Sequence, residues 1–463
     1  MSTSTFLAPF IQVKEALVSY QSRIADNPSH IIYTLGLLGF YWYGLTVFMG
    51  PDGHLIAVGL LLLAFFGYWF RRIWPDLRQC SLFWVSLATT VYFLLRTFIA
   101  CREFPEIVPF QIEMGLKMAH IGGLTSLLLV PWLYEKNKLI RVDWLFILIV
   151  ISFLGNIYLT LDWNHFLSII SPYEYYYIEH QLRMNPNTAG FLGCMLILGL
   201  LTLTTKIVSE AKKQYQIIQI LITTFSFLSI WIISFISINA ESRAAWIAFG
   251  CVLPIWATLM IYNLIQQNKM SFKIWSIVTI VLLLMVYIGW SQSNQIVEQF
   301  QNESKTLHKL ANGHFTNIPQ KSVGKRIILW KFTYKKLIKR PIFGWGPGTF
   351  KDLVKKEGPK KVDHLGYNHN GFLQMLFQFG IAGGLLVFLL IYITVKSITS
   401  LKFNNNVLKE WRIYTIGCIV MILIFNLADS PFHHEQYRYI LITLFSIALT
   451  CQLSQKKYDY LNL

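Results

Sequence analysis

Apolar runs long enough to cross a lipid bilayer recur along almost the whole chain, and they restrict its fold more than any other feature. A membrane-spanning helix needs about 20 mainly apolar residues. Of the 463 residues, 54% are hydrophobic and only 14% are charged. Because a bilayer core offers the backbone no water, such runs are stable there as helices whose peptide groups bond internally. The sequence therefore predicts an all-α integral membrane protein.

The runs and the polar breaks between them predict about twelve transmembrane helices. They divide the chain into an N-terminal transmembrane region of about nine helices (1–290), a large loop (291–370) and a C-terminal region of about three helices (371–463). The predicted spans are 31–49, 54–70, 81–99, 108–133, 142–160, 188–205, 215–237, 244–264, 274–290, 371–395, 413–428 and 438–453.

Lys and Arg are distributed unevenly between the short connections, and this predicts the orientation of the chain. Basic pairs such as Arg71 and Arg72, or Lys212 and Lys213, fall in alternate connections, whereas the others contain few basic residues. Positively charged connections stay in the cytoplasm. We therefore expect both termini in the cytoplasm and the 291–370 loop on the outer side. The exceptions on the predicted outer side are Arg102, Arg183, Arg243 and Arg438.

The predicted outer loop, 291–370, is itself basic, with fifteen Lys and Arg residues against five acids. Long translocated segments escape the charge rule, so the topology stands. The net charge of +17 would suggest nucleic-acid binding in a soluble protein. Membrane topology explains about half of the basic residues here, and nucleic-acid-binding motifs are absent. Within the loop, 326–339 has apolar positions at helical spacing, which predicts an amphipathic helix on the membrane surface that Pro341 ends.

Two arginines at predicted helix starts have two readings. Arg243 precedes Trp246 at the outer start of the eighth span, and Arg326 begins the predicted loop helix. Either side chain can simply extend to the interface or to water. Alternatively, an arginine backed by a helix N-terminus offers a planar fork and a positive dipole end to a phosphate.

A third motif stands where the loop meets the tenth span: His369-Asn370, nine residues, then Gly380 and Gly383. A lone interfacial histidine is usually structural. Here a proton acceptor lies at a helix start close to an excess of cations, and glycines permit close helix packing a few turns deeper. This combination makes His369 the candidate catalytic residue.

His369-Asn370-x9-Gly380-x2-Gly383 resembles the signature of the O-antigen ligase family. So do Ser242-Arg243-Ala-Ala-Trp246, Asn185-Pro-Asn187, Arg326 with Trp330, and Gly344-x-Gly346-x-Gly348-x-Phe350. Their shared order along the chain carries the resemblance. Ala244 departs from the glycine that relatives often have at that position. The resemblance implies a GT-C-like glycosyltransferase in the inner membrane of a Gram-negative bacterium, with a periplasmic active site.

The resemblance also implies roles for individual residues. Arg243 and Arg326 would hold the pyrophosphate of an undecaprenyl-linked glycan donor, and His369 would act on the hydroxyl of a lipid A-core acceptor. No metal or other cofactor is implied, so we expect metal-independent, inverting transfer. Candidate further contacts with substrate are Arg183, Asn370 and His433.

Other functions remain open at this stage. An O-antigen polymerase or a protein O-oligosaccharyltransferase would use the same donor with another acceptor. A transporter or flippase would use the charges within predicted spans, Arg96, Glu113 and Lys117. No internal repeat of hydropathy supports the transporter. The turn from Asp429 to Glu435 offers metal-binding side chains, although a solvated turn is the simpler reading.

Overall fold

The computed structural model describes residues 28–49, 51–134, 140–160, 185–209, 216–239, 242–267, 279, 322–360, 362–400 and 408–461. All regular elements in these residues are helices, as the sequence predicts. Numbered in order, the first ten α-helices described are α1 (Pro28–Thr46), α2 (Pro51–Ala64), α3 (Phe70–Leu77), α4 (Ser81–Glu103), α5 (Val108–Ile121), α6 (Val130–Tyr134), α7 (Ile140–Thr160), α8 (Pro186–Ser209), α9 (Gln216–Asn239) and α10 (Arg243–Gln266).

In the described residues, eight continuous helical stretches have the length and apolar composition needed to cross a membrane, and one of them joins α2 to α3 through a π-helical turn, Phe65–Trp69. Together with many large apolar side chains on the surface, these helices identify a membrane protein. The predicted span 274–290 lies almost entirely outside the described residues, so the number twelve stays a prediction, as do the three regional boundaries. The remaining helices are α11 (Ser322–Lys339), α12 (Thr349–Glu357), α13 (Gly371–Thr399), α14 (Lys409–Phe425) and α15 (Glu435–Leu461).

The predicted continuous span 108–133 is wrong. Helix α5 ends at Ile121, a 3-10 helix follows at Leu124–Leu128, and α6 begins at Val130. The break falls at a glycine pair whose second member, Gly123, has a φ of 81°. Other residues rarely adopt that conformation, and a helix does not continue through it. By contrast, the amphipathic loop helix predicted from Arg326 is present as α11.

Helices α8 and α10 run parallel to each other. Near their starts, the Ser242 hydroxyl donates a hydrogen bond to the Asn187 carbonyl at 3.2 Å. Further along, the Trp256 indole N–H donates to the Thr202 hydroxyl at 3.0 Å. Helix α9 lies between them in the sequence and returns the chain across the bundle.

Helix α14 packs against both α8 and α10 and runs antiparallel to them. The Phe425 ring at its end stacks on Phe191 near the start of α8, with centroids 4.1 Å apart. Directly after α14, the Asn426 carbonyl accepts a hydrogen bond from the Gly371 N–H at 2.8 Å, which starts α13. The starts of α8, α10 and α13 and the end of α14 therefore meet at one end of the bundle, which we call the site end.

Helix α13 is interrupted at Gly380, where φ is 65° and ψ is −169°. The interruption frees carbonyls in the preceding turn. The N–H of Trp345 donates to the Phe377 carbonyl and the N–H of Gly346 to the Gln378 carbonyl, both at 2.8 Å. Both donors belong to the glycine turn, residues 341–348, which follows α11.

The same turn also accepts from the N–H groups freed beyond the break. Ile381 N–H donates to the Pro341 carbonyl at 2.8 Å, and Ala382 N–H donates to the Ile342 carbonyl at 3.1 Å. Unpaired peptide groups are costly in apolar surroundings, so these bonds allow the break to exist. The glycine turn thus supplies the hydrogen bonds that helix α13 lacks at its break.

Arg96 fixes the glycine turn from the other side. This residue lies in α4 and its side chain is only 3% exposed. Its Nε donates to the Phe343 carbonyl at 2.9 Å and one terminal nitrogen donates to the Gly344 carbonyl at 3.0 Å, with Glu103 as its ion-pair partner at 3.1 Å. The charge considered above for transport therefore has a structural role, and Glu113 and Lys117 form an ion pair with each other.

We expect Gly380→Ala to destabilise the protein by at least about 2 kcal/mol, because no L side chain favours this backbone conformation. A Cβ there would also lie 2.1 Å from the Ile342 carbonyl oxygen. The measurement is thermal unfolding of the purified protein, followed by tryptophan fluorescence. The control is Gly250→Ala in α10, where a Cβ meets no atom within 4 Å. Equal unfolding midpoints for the two variants would contradict the role given to the break.

Candidate active site

The loop that carries His369 is held by Asn368, which is completely buried. Its carbonyl accepts a hydrogen bond from the Trp330 indole at 2.9 Å, and its side-chain oxygen accepts from the Thr333 hydroxyl at 2.5 Å. Its N–H donates to the side-chain oxygen of Gln374 at 3.1 Å. Two residues of α11 and one of α13 therefore fix the backbone immediately before His369.

His369 itself has a φ of 48°, which is uncommon for a residue other than glycine. Such conformations persist where the surrounding structure imposes them, often at functional sites. The bonds to Asn368 on one side and the start of α13 on the other impose it here. The imidazole side chain is 20% exposed, so it is positioned without being sealed from a substrate.

Asp429 is the partner of His369. Its carboxylate oxygen Oδ1 lies 3.5 Å from the imidazole Nδ1, and its side chain is 8% exposed. This separation is at the long limit of a hydrogen bond, so we describe the contact as electrostatic. A carboxylate facing Nδ1 orients the ring and leaves Nε2 available to accept a proton. Sequence reasoning placed Asp429 in a solvated turn and missed this pairing.

The pKa values near His369 show how charge is arranged around it. Burial alone would raise the pKa of Asp429, but His369, the Ser430 N–H and the charge of Arg326 together hold it below the ordinary value. Burial, reinforced by Asp429 and partly opposed by Arg326, raises the pKa of Tyr367 to about 12. Arg326 therefore acts electrostatically on Asp429 and Tyr367, the two neighbours of His369, while its role at the donor pyrophosphate stays a prediction.

Tyr367 also packs against the catalytic candidate directly. Its ring and the His369 imidazole are tilted by 48° to each other, with centroids 4.4 Å apart. Since the phenol stays protonated at neutral pH, Tyr367 presents an uncharged ring and a hydroxyl group beside His369.

Arg243 is the first residue of α10 and is exposed at the site end. Ser242, directly before it, is tied to Asn187 at the start of α8, so two helix N-termini lie side by side there. Their positive dipole ends add to the arginine charge. The structure thus locates Arg243 at the same end of the bundle as His369, while its role stays a prediction.

The three further predicted contacts have different outcomes. Asn370 caps α13: its side-chain oxygen accepts from the Leu373 N–H at 2.9 Å, and its amide nitrogen donates to the Leu427 carbonyl at 3.1 Å. A contact with substrate in addition remains a prediction. His433 ends a short 3-10 helix, Pro431–His433, but its side chain lies outside the described residues, as does Arg183 altogether.

Metal binding by the turn from Asp429 to Glu435 gains no support in the part of the chain that the structure describes. There, no three side chains of His, Cys, Asp or Glu are grouped closely enough to hold an ion. Asp429 is instead directed at His369. The expectation of metal-independent chemistry remains a prediction.

Comparison with known proteins identifies a stretch of the chain that is similar to one protein family. Residues 228–388 match a protein-family model described as O-antigen ligase. A Rickettsia typhi protein named "Putative polysaccharide ligase" is 24% identical over 393 residues, which are 74% of this chain and 88% of that protein. Proteins with the same name from Rickettsia conorii and Rickettsia prowazekii are 31% identical over 94 residues and 27% identical over 116 residues. These matches cover 19% and 23% of this chain, and 23% and 28% of the relatives.

The resemblance to the O-antigen ligase family inferred from the sequence motifs is thereby confirmed. The matched stretch includes Arg243, Arg326 and His369, together with Gly380 and the whole glycine turn. Asp429 lies beyond its end, so the pairing with His369 comes from the structure alone.

The ionised Asp429 should make stability depend on pH. Because its pKa is lower in the folded protein than in the unfolded chain, its contribution is present above about pH 4 and is lost as the pH falls through the folded-state pKa. We expect the unfolding temperature to fall more steeply between about pH 5 and pH 3 for the wild type than for Asp429→Asn. Asp363→Asn, in an exposed position, is the control. Parallel curves for the wild type and Asp429→Asn would contradict this assignment.

Proposed function

We propose that the protein is a membrane glycosyltransferase that moves a glycan from undecaprenyl pyrophosphate to a hydroxyl of a lipid A-core acceptor. The observation that carries this proposal is the pairing of His369 with Asp429, beside Arg326, at the end of a bundle of apolar helices. The match to the O-antigen ligase family and the polysaccharide ligase names of the relatives support the choice of substrates. A lipid-linked donor suits a site that opens at a membrane surface.

In the proposed reaction, His369 is the general base. Its Nδ1 faces Asp429, so Nε2 accepts the proton of the acceptor hydroxyl as the oxygen attacks the anomeric carbon of the donor. The new carbon–oxygen bond forms as the bond from that carbon to the pyrophosphate oxygen breaks. Displacement from the opposite side inverts the anomeric centre. Asp429 stabilises the imidazolium that results, as a carboxylate does in other histidine pairs.

The arginines serve the leaving group in this proposal. Undecaprenyl pyrophosphate gains negative charge as its bond to the sugar breaks, and fixed cations stabilise that charge without needing a metal. Arg326 is already close enough to influence Asp429, and Arg243 stands at two adjacent helix N-termini. An arginine fork matches the geometry of phosphate oxygens better than a lysine does.

The topology is part of the proposal. The positive-inside pattern favours the site end as the periplasmic face of the inner membrane, with both termini in the cytoplasm. Twelve spans in a GT-C-like arrangement would suit this orientation. Basic residues of α11, four of them between Lys331 and Lys339, would attract a phosphorylated acceptor towards that face.

We expect His369→Ala to lower the transfer rate by at least about a hundredfold, the usual contribution of a general base, while donor binding is kept. The measurement is transfer in proteoliposomes, with donor binding measured separately. His369→Asn is a second variant, because asparagine tolerates a positive φ. His364→Ala, at an exposed histidine of the same loop, is the control. Normal transfer by both His369 variants would remove the proposed base.

We expect Arg326→Gln to weaken donor binding by about tenfold or more, since charge-assisted hydrogen bonds are strong. Lys325→Gln removes the same charge from the neighbouring residue and should have a much smaller effect. Arg243→Lys should also weaken donor use, because a point charge cannot replace the planar fork. Equal losses in Arg326→Gln and Lys325→Gln would indicate a general charge effect rather than a phosphate site.

Reconstituted transfer with a defined undecaprenyl-linked sugar tests acceptor and cofactor together. We expect the product mass to show the glycan on lipid A-core and the rate to be unchanged by a chelator. Product on a second lipid-linked glycan would identify a polymerase, and product on a protein hydroxyl would identify an oligosaccharyltransferase. Loss of activity with chelator and its return with a divalent ion would overturn the metal-independent mechanism.

A further inference from the structure

A cavity of about 260 Å³ lies between α5, α12 and α13, next to the candidate active site. Tyr367 belongs to both, since it lines the cavity and contacts the His369 ring. The cavity is smaller than the roughly 300 to 1,000 Å³ of sites for drug-sized ligands, so it has room for about one sugar ring. None of the residues assigned to catalysis or to the pyrophosphate lines it.

Two buried amide side chains line the cavity, and each has a polar atom without a hydrogen bond. Gln374 and Gln378 are each 1% exposed. The side-chain nitrogen of Gln374 and the side-chain oxygen of Gln378 have no partner among the residues that the structure describes. Gln374 is held in place because its oxygen accepts from the Asn368 N–H. Buried polar groups are nearly always paired, so an unpaired donor and an unpaired acceptor on one wall indicate a ligand that offers both.

Three aromatic side chains contribute to the rest of the wall. Phe110 of α5, Phe350 of α12 and Tyr367 line the same cavity. A sugar ring presents hydroxyl groups, which both donate and accept, along its edge and C–H groups on its faces. Amides hydrogen-bond to the hydroxyl groups, and aromatic rings pack against the C–H faces.

The same atoms argue against other ligands that a membrane enzyme of this kind meets. A lipid chain would leave both amides unpaired, at a cost. A pyrophosphate only accepts hydrogen bonds, so the unpaired oxygen of Gln378 would repel it. Two lysines line the cavity too. The charge of Lys117 is offset by its ion pair with Glu113, and Lys351 is an exposed residue of α12 whose charge solvent screens.

We infer that this cavity is a subsite that holds one neutral sugar ring of a substrate glycan next to the reacting centre, through the Gln374 and Gln378 amides. This inference rests on the proposed function, because the glycan belongs to the donor or the acceptor of the transfer. It adds a specificity site that is separate from the groups that carry out the reaction.

The test replaces Gln378 with methionine, which has a similar shape and no amide. Loss of one neutral hydrogen bond should raise the KM of one substrate by roughly threefold to tenfold, with kcat unchanged. The substrate whose KM rises shows whether the ring belongs to the donor or the acceptor. Phe110→Leu, at a partly exposed position of the same wall, should raise the same KM. Gln266→Met, the same chemical change at an exposed residue at the far end of α10, is the control.

Direct binding separates this inference from the proposed function. Saturation-transfer NMR with methyl glycosides of glucose, galactose and N-acetylglucosamine should detect binding to the wild type and to His369→Ala, and a loss in Gln378→Met. If glycosides bind in this way but no transfer occurs, the subsite stands and the proposed function fails. If transfer occurs but no glycoside binds and both KM values for Gln378→Met stay within about twofold of the wild type, the subsite is overturned.

Discussion

The interruption of helix α13 at Gly380 leaves peptide N–H and C=O groups without partners in the helix, and neighbouring segments hydrogen-bond to them. Peptide groups freed inside an apolar bundle must find partners within the protein. The glycine turn, residues 341–348, supplies both donors and acceptors, and Arg96 of α4 binds the carbonyls that the turn itself leaves over. Helix α4, the glycine turn and helix α13 are thus joined by hydrogen bonds to main-chain groups. Because the glycine turn directly follows α11, these bonds also fix the end of α11.

This fixed helix then positions His369, the proposed general base. Trp330 and Thr333 project from α11 onto Asn368, and Asn368 sets the unusual backbone of His369. A shift of α11 would therefore move the imidazole relative to Asp429, whose position depends on the separate end of α14. Gly380 of the family motif acts through this framework, because it makes the break in α13 possible.

How much of this was visible in the sequence depends on how local each signal is. Hydropathy gave most spans and the amphipathic helix α11, because both are patterns within one segment. It failed at Gly122 and Gly123, where composition stays apolar while the backbone turns. It also left Arg96 as a candidate for transport, since the carbonyls that it binds lie 247 and 248 residues away in the sequence. The pairing of His369 with Asp429 was hidden in the same way, although both residues stand beside ends of predicted spans.

The groups near His369 are of two chemical kinds, charged and neutral, and under the proposed function each kind suits a different part of a glycan donor. Arg326 and the helix N-termini beside Arg243 offer positive charge, which suits a departing diphosphate but does little for neutral sugars. The cavity beyond Tyr367 offers amides and aromatic rings instead, which discriminate between sugars by the direction of their hydroxyl groups. Since a diphosphate is the same in every donor, selectivity for a particular glycan has to come from a neutral surface of this kind. Under the proposed function, this separation would let the cavity change with the glycan while His369 and Asp429 stay unaltered.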